Sequence, residues 1–163
     1  MSIDLQRMMD TAVAFFLAAE RCRLTLSFSR YPEHFVSAPQ VTNYAFSVEI
    51  ALKILTCTLG GKKNGHDLKD LYESLPDSQK LHLVFLEDAF DEAASPFVDW
   101  RYPFEKTFLA ADPDKLRRAF IVCHSEIRRT SPNLKSKFEH HWGRFDPDWI
   151  WNEIELKDVG SNA

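Results

Sequence analysis

Apolar residues fall at helical spacing from the start of the chain. Leu5, Met8, Met9, Ala12, Phe16, Ala19 and Cys22 recur at intervals of three and four, which predicts a first helix from Ile3 to about Cys22. Arg30-Tyr31-Pro32 and Ala38-Pro39 then bracket a connecting loop, because a proline drives the residue before it out of the helical region. A second helix is predicted from about Gln40 to Leu59. Val41, Tyr44, Ala45, Val48, Ala51, Leu52, Leu55 and Leu59 form its stripe, and Gly60-Gly61 ends it. Glu49 and Lys53 stand one turn apart on it with the acid toward the N-terminus, the stabilising order.

Further along, Asp67 is the expected N-cap of a short helix from Leu68 to Leu75, which Pro76 stops. Asp77 is expected to cap a fourth helix that runs to about Ala93. Ser95 to Glu105 is rich in aromatics and holds two prolines, so it reads as an ordered but irregular connection. Asp112 caps a late helix with Pro113 at its first position, continuing to about Arg129. Beyond Asn133, the residues Phe138, Trp142, Phe145, Trp149, Ile150 and Trp151 suggest a segment that docks through its aromatics. No strand pattern and no internal repeat occurs. The expectation is an all-α bundle of five to six antiparallel helices over residues 1–130. An aromatic-rich extension, 131–163, would pack on that domain or on a dimer mate.

Composition supports one packed core: 45% of 163 residues are hydrophobic, with 13 phenylalanines. Cys22, Cys57 and Cys123 are scattered, without a C-x-x-C pair, and read as buried free thiols rather than a disulfide framework or thiolate cluster. Met1 to Asp10 lacks the basic start of a secretory signal. The apolar run Ala12–Ala19 is far short of the ~20 residues a membrane span needs. A cytoplasmic protein with no membrane contact is expected.

The net charge of −4 gives no general case for nucleic-acid binding, but the charge is unevenly placed. From Asp67 to Asp114 there are twelve acidic and four basic residues. From Lys115 to Arg144 there are eight basic and two acidic ones, a local net of +6. Such asymmetry marks either a surface that faces a polyanion or the two halves of a dimer contact.

Three motifs resemble a group of prokaryotic HEPN-like proteins. They are NYAFSVEIALKIL with Ser47, Glu49, Leu52 and Lys53; GHDL with Gly65, His66, Asp67 and Leu68; and WRYPFE with Trp100, Arg101, Tyr102 and Glu105. Pro103, just after the W-R-Y triplet, departs from the pattern. The match covers about Thr42 to Arg129. The resemblance implies an antiparallel helical bundle that forms homodimers. It also implies a family whose active members are metal-independent ribonucleases of toxin–antitoxin and phage-defence systems, while many others lack catalysis. The active signature is an arginine and a histidine on a late helix with four to six residues between them, often with a polar residue straight after the arginine.

On the late helix both Arg117 and Arg118 meet that spacing from His124. With Leu116 at zero, Arg117 lies at about 100°, His124 at about 80° and Arg128 at about 120°, whereas Arg118 lies at about 200°. Arg117, Ile121, His124 and Arg128 thus form a second stripe beside the core face. In a ribonuclease His124 would act as acid and base and Arg117 would hold the phosphate, with Arg118, Arg128 and Arg101 as further RNA contacts. Ile121 would be the apolar contact of an isologous dimer. Against this, basic stripes are usually solvated faces, and neither arginine is followed by a small polar residue. Ser47, Glu49, Lys53, His66, Asp67, Trp100 and Tyr102 read as structural. His140-His141 has only Glu139 beside it, so neither metal nor cofactor is expected.

Two function classes follow. One is a non-catalytic homodimeric interaction module with a protein partner, such as a nucleotidyltransferase-like antitoxin. The other is a metal-independent endoribonuclease; RNA binding without turnover lies between them.

Overall fold

The computed structural model describes residues 4–28, 34–59, 65–84, 86–87, 90 and 112–144, with side chains for all of these except 24–28, 34–37 and 142–144. Among the described residues the bounded elements are α1 Leu5–Phe28, α2 His34–Leu59, α3 Leu68–Glu73, α4 Asp77–Lys80, α5 Pro113–Thr130 and the 3-10 helix Glu139–Arg144, and Leu86, Glu87 and Phe90 are helical as well. No strand occurs among the described residues. The fold is all-helical, and none of the described helices is long and apolar enough to cross a membrane.

Helix α2 is the centre. It packs on α1, α5 and α3, so residues on more than one of its faces are buried: Val41, Tyr44, Ala45, Val48, Ala51, Leu52, Ile54 and Leu55. The alanines let neighbouring helices approach closely. The buried hydroxyls of Ser47 and Thr56 are satisfied within the helix, by the carbonyls of Tyr44 and Lys53. Phe16 of α1 fills the middle of the core, stacked 4.6 Å from Phe120 of α5 and tilted 5.8 Å from Tyr44. Leu116, Phe120, Cys123 and Ile127 form the inner face of α5 as its period predicts.

Two helices are longer than the sequence reading gave. Helix α1 runs on to Phe28, since no glycine or proline interrupts it before Pro32. Helix α2 begins at His34, so Pro39 lies inside it rather than in a loop. A proline there forfeits the bond from its own position to the carbonyl of Phe35 and crowds that carbonyl with its ring, although its fixed φ is already helical. The packing of Gln40 to Leu55 outweighs that loss.

One helix is shorter. Pro76, not Asp77, occupies the N-cap of α4 and provides no side-chain hydrogen bond, while Asp77 sits in the first turn and pairs with Lys80 at 3.3 Å. Helix α4 ends at Lys80 instead of running to about Ala93, and turns follow at 81–84. Bonds to the third residue back, from the amides of His82, Leu83 and Leu86, tighten the chain there. A period of three turns Leu83 and Leu86 inward together and leaves Leu81 and Val84 exposed.

Asp67 caps α3 by accepting from the amides of Lys69 and Asp70, at 2.8 and 3.0 Å. Two residues before it, Gly65 has φ +115°, a conformation that a side chain would strain. Asp112 caps α5 through the amides of Asp114 and Lys115. The first part of the C-terminal extension packs on this same bundle, with Leu134 and Phe138 against the core. Phe145, Trp149, Ile150 and Trp151 lie outside the described residues. Of the cysteines only Cys123 is fully buried; Cys22 and Cys57 are half-buried, because the faces they occupy are only partly covered, and all three are free thiols.

Because both caps satisfy amides that the helices cannot, Asp67→Ala and Asp112→Ala should each cost about 1 kcal/mol. Urea unfolding should show this as a lower midpoint at unchanged slope, and an unmoved midpoint would contradict the cap assignments.

Candidate functional site

The stripe of α5 that carries Arg117 and His124 is covered. Arg117 is 4% exposed and His124 2%, and each is bound to a different carboxylate.

Arg117 Nε donates to Glu20 Oε1 at 2.5 Å. Tyr44 Oη donates to the same oxygen at 2.6 Å, and Arg23 donates to Oε2 through Nε and Nη2 at 3.3 and 3.1 Å. The Glu20 carboxylate is fully buried and takes partners from α1, α2 and α5; of these Tyr44 and Arg117 are buried and Arg23 reaches water. Burial, and then the Glu20 charge beside it, pushes the Tyr44 phenol up, so it stays protonated and donates. A charge out of water is tolerable only when paired and hydrogen-bonded, and Glu20 has both kinds of partner.

His124 lies about two turns further on, about 10 Å along the axis by helical rise. Its Nε2 is 3.2 Å from Glu139 Oε1, while Arg128 Nη1 donates to Glu139 Oε2 at 3.1 Å and the Ser136 amide to Oε1 at 3.0 Å. Burial would raise the Glu139 carboxyl, but the hydrogen bonds from His124 and the Ser136 amide, with the charge of Arg128, hold it below its ordinary 4.5. An ionised carboxylate only accepts, so Nε2 carries the proton. Burial holds His124 itself below its ordinary 6.5 despite the pull of Glu139, so the ring is neutral. The nitrogen left to accept a proton, Nδ1, is buried.

The segment carrying Glu139 is a strap across α1 and α5. Asp10 of α1 accepts from Ser136 Oγ and the Lys137 amide, both at 3.0 Å, and Gln6 Nε2 donates to the Lys135 carbonyl at 2.8 Å. Lys137 Nζ adds a loose ion pair with Asp10 at 3.7 Å. Beside the strap is an open cleft of about 460 Å³, lined by Arg7, Thr11, Ala14, Phe15, Ala18 and Phe138 among others.

The other predicted positions separate clearly. Arg118 is exposed on the far side of α5, as its wheel angle requires. Arg128 is half-buried against Glu139. Ile121 is 3% exposed within the chain's own core, so it offers no apolar surface to a mate; α1 and the strap cover the stripe that the single-helix wheel left open. Glu49 Oε1 accepts from Lys53 Nζ at 2.6 Å and lies 3.0 Å from His66 Nδ1, which ties the start of α3 to α2. Asp67 is occupied as a cap and Ser47 is buried. Trp100, Arg101 and Tyr102 lie outside the described residues. His140 and His141 lie against each other with their rings tilted, the centroids 3.9 Å apart. No group of three His, Cys, Asp or Glu converges to hold a metal among the described residues.

Sequence reasoning missed Glu20 and Glu139, the two residues that decide what Arg117 and His124 can do. For Glu20 a signal existed: it stands four residues after Phe16 and eight after Ala12, on the apolar face of α1. An acid in that place calls for a buried cation. Glu139 gave no comparable signal, because a strap has no period.

The folded state refuses His124 a proton that the unfolded chain takes up near pH 6.5, so stability falls as pH drops below about 6.5. The Glu139 contribution is present above about 4.5 and is lost as pH falls through its lower folded value, a change of the same sign. Urea midpoints should therefore decline from neutral pH toward about pH 5, and His124→Gln should flatten the upper part of that decline. A midpoint that rises on acidification would contradict this environment.

No family model matches the chain, and no curated protein and no solved structure matches it either.

Proposed function

We propose that this protein is a non-catalytic, HEPN-like helical interaction module. It acts as a homodimer that binds a protein partner, in a toxin–antitoxin or phage-defence setting. A nucleotidyltransferase-like antitoxin is the kind of partner that this setting supplies.

The observation that carries this reading is the separate engagement of Arg117 and His124. A metal-independent ribonuclease needs a cation on the phosphate and a base on the 2′-hydroxyl within reach of one substrate. Here the Arg117 guanidinium is enclosed with Glu20, and the proton-accepting nitrogen of His124 is buried. Both residues support the packing of α5 against its neighbours. The dimer contact does not use Ile121, which the core already buries. The resemblance in Ser47, Glu49, Lys53, His66 and Asp67 supports the family part of the proposal; Glu49 and His66 join α2 to the start of α3, Lys53 pairs with Glu49, Ser47 bonds within α2 and Asp67 caps α3.

Purified protein incubated with structured and single-stranded RNA in EDTA should leave both intact, and light scattering should give twice the chain mass. Cleavage that leaves cyclic-phosphate ends and disappears in His124→Ala would overturn the non-catalytic reading. A monomeric mass would remove the homodimer.

A further inference from the structure

Glu139 sits among donors in the way a bound anion would. His124 Nε2, Arg128 Nη1 and the Ser136 amide converge on its two oxygens at 3.2, 3.1 and 3.0 Å. His124 forms the buried floor, while the Arg128 and Glu139 side chains are 30% and 24% exposed and so form a mouth open to water. Carboxylate and phosphate present the same feature to such donors, paired oxygens that accept charge-assisted hydrogen bonds.

We propose that His124, Arg128 and the Ser136 amide form a phosphate-binding site that Glu139 occupies in cis, so that a phosphate-bearing ligand binds by displacing it. The inference goes beyond the interaction-module reading and requires no cleavage.

Three further observations support it. First, the site lies in the stretch from Lys115 to Arg144, where eight basic residues face only two acidic ones. The other acid, Glu126, is fixed by a forked pair with Arg129, at 2.8 and 2.6 Å on adjacent turns of α5. Glu139 alone of the two rides on a segment outside α5. Second, that segment is attached to α1 by bonds that are exposed or only part-buried, from Gln6 and around Asp10. Exposed bonds of this kind are readily exchanged for water. Third, a tethered carboxylate has a high effective concentration, which weak single anions cannot match. A ligand with several phosphates can, because Lys135 and Lys137 are exposed on the same segment as Ser136 and attract it as well.

The test uses the full chain with two ligands, inorganic phosphate followed by thermal unfolding and a short single-stranded RNA followed by fluorescence anisotropy. Glu139→Gln removes the internal anion and keeps its shape. Asp10→Asn loosens the strap at Ser136 Oγ and the Lys137 amide while leaving His124, Arg128 and Glu139 in place, and serves also if Glu139→Gln folds poorly. Asp114→Asn removes one exposed negative charge elsewhere. At about 10 mM phosphate, Glu139→Gln should gain several degrees in Tm where the wild type gains little. RNA should bind Glu139→Gln about tenfold more tightly than wild type, with Asp10→Asn between them and Asp114→Asn unchanged. A response to phosphate alone assigns the site to free phosphate or a nucleotide; a response to RNA as well assigns it to the nucleic-acid backbone. Equal behaviour of wild type, Glu139→Gln and Asp10→Asn toward both ligands would overturn the proposal. So would a gain in Glu139→Gln that survives an added Arg128→Gln.

Discussion

A single buried carboxylate connects the three long helices. Glu20 on α1 takes Tyr44 from α2 and Arg117 from α5 on one oxygen, and Arg23 on the other. Directly beneath it, Phe16 packs against both Tyr44 and Phe120, so the ionic cluster rests on the aromatic centre of the core. Apolar burial supplies most of the stability of such a domain but discriminates poorly between alternative rotations of a helix. The Glu20 cluster supplies that discrimination: any rotation of α5 that moved Arg117 away would separate its charge from Glu20 and leave the buried carboxylate with Tyr44 and Arg23 only. The orientation of α5, and with it the position of His124, depends on this contact.

The orientation has a functional consequence. Seven residues along α5, His124 meets the strap at Glu139, and Arg128 closes the other side of that carboxylate. A stripe that one helix presents as basic and open is thus neutralised twice, by an acid from before it in the chain and an acid from after it. The chemistry of each half differs. The Glu20 half is enclosed and shared among three helices, which suits a fixed structural element. The Glu139 half opens to water and belongs to a segment that exposed and part-buried bonds tie to α1 between Leu134 and Phe138, its contacts with the core, which suits local exchange.

Much of this was legible in the sequence, and the failures have physical causes. The caps at Asp67 and Asp112 were readable because capping is local chemistry over three residues. The apolar face of α5 followed from period alone. Pro39 misled because a proline usually ends a helix, whereas here it costs one bond near the start of a helix with buried residues on several faces. Arg117 was placed at the correct angle but given the wrong environment. A helical wheel assigns direction and says nothing of what another element brings to meet it. Only Glu20, an acid on an apolar face, announced the encounter, while Glu139 reached His124 through irregular chain that no periodicity describes.

The central claim, that Glu20 and Arg117 are one structural unit and Arg117 is not a free phosphate ligand, is tested most directly by a double-mutant cycle on folding stability. Glu20→Met, Arg117→Met and the double variant would be compared by urea unfolding at neutral pH. Glu20→Met takes the counter-charge from the buried Arg117, and Arg117→Met leaves Glu20 with Arg23 and Tyr44 only, so the double variant should lose less than the two singles combined, with a coupling on the order of 1–3 kcal/mol. Additive losses would mean that the two side chains do not depend on each other in the folded protein, and would contradict the account.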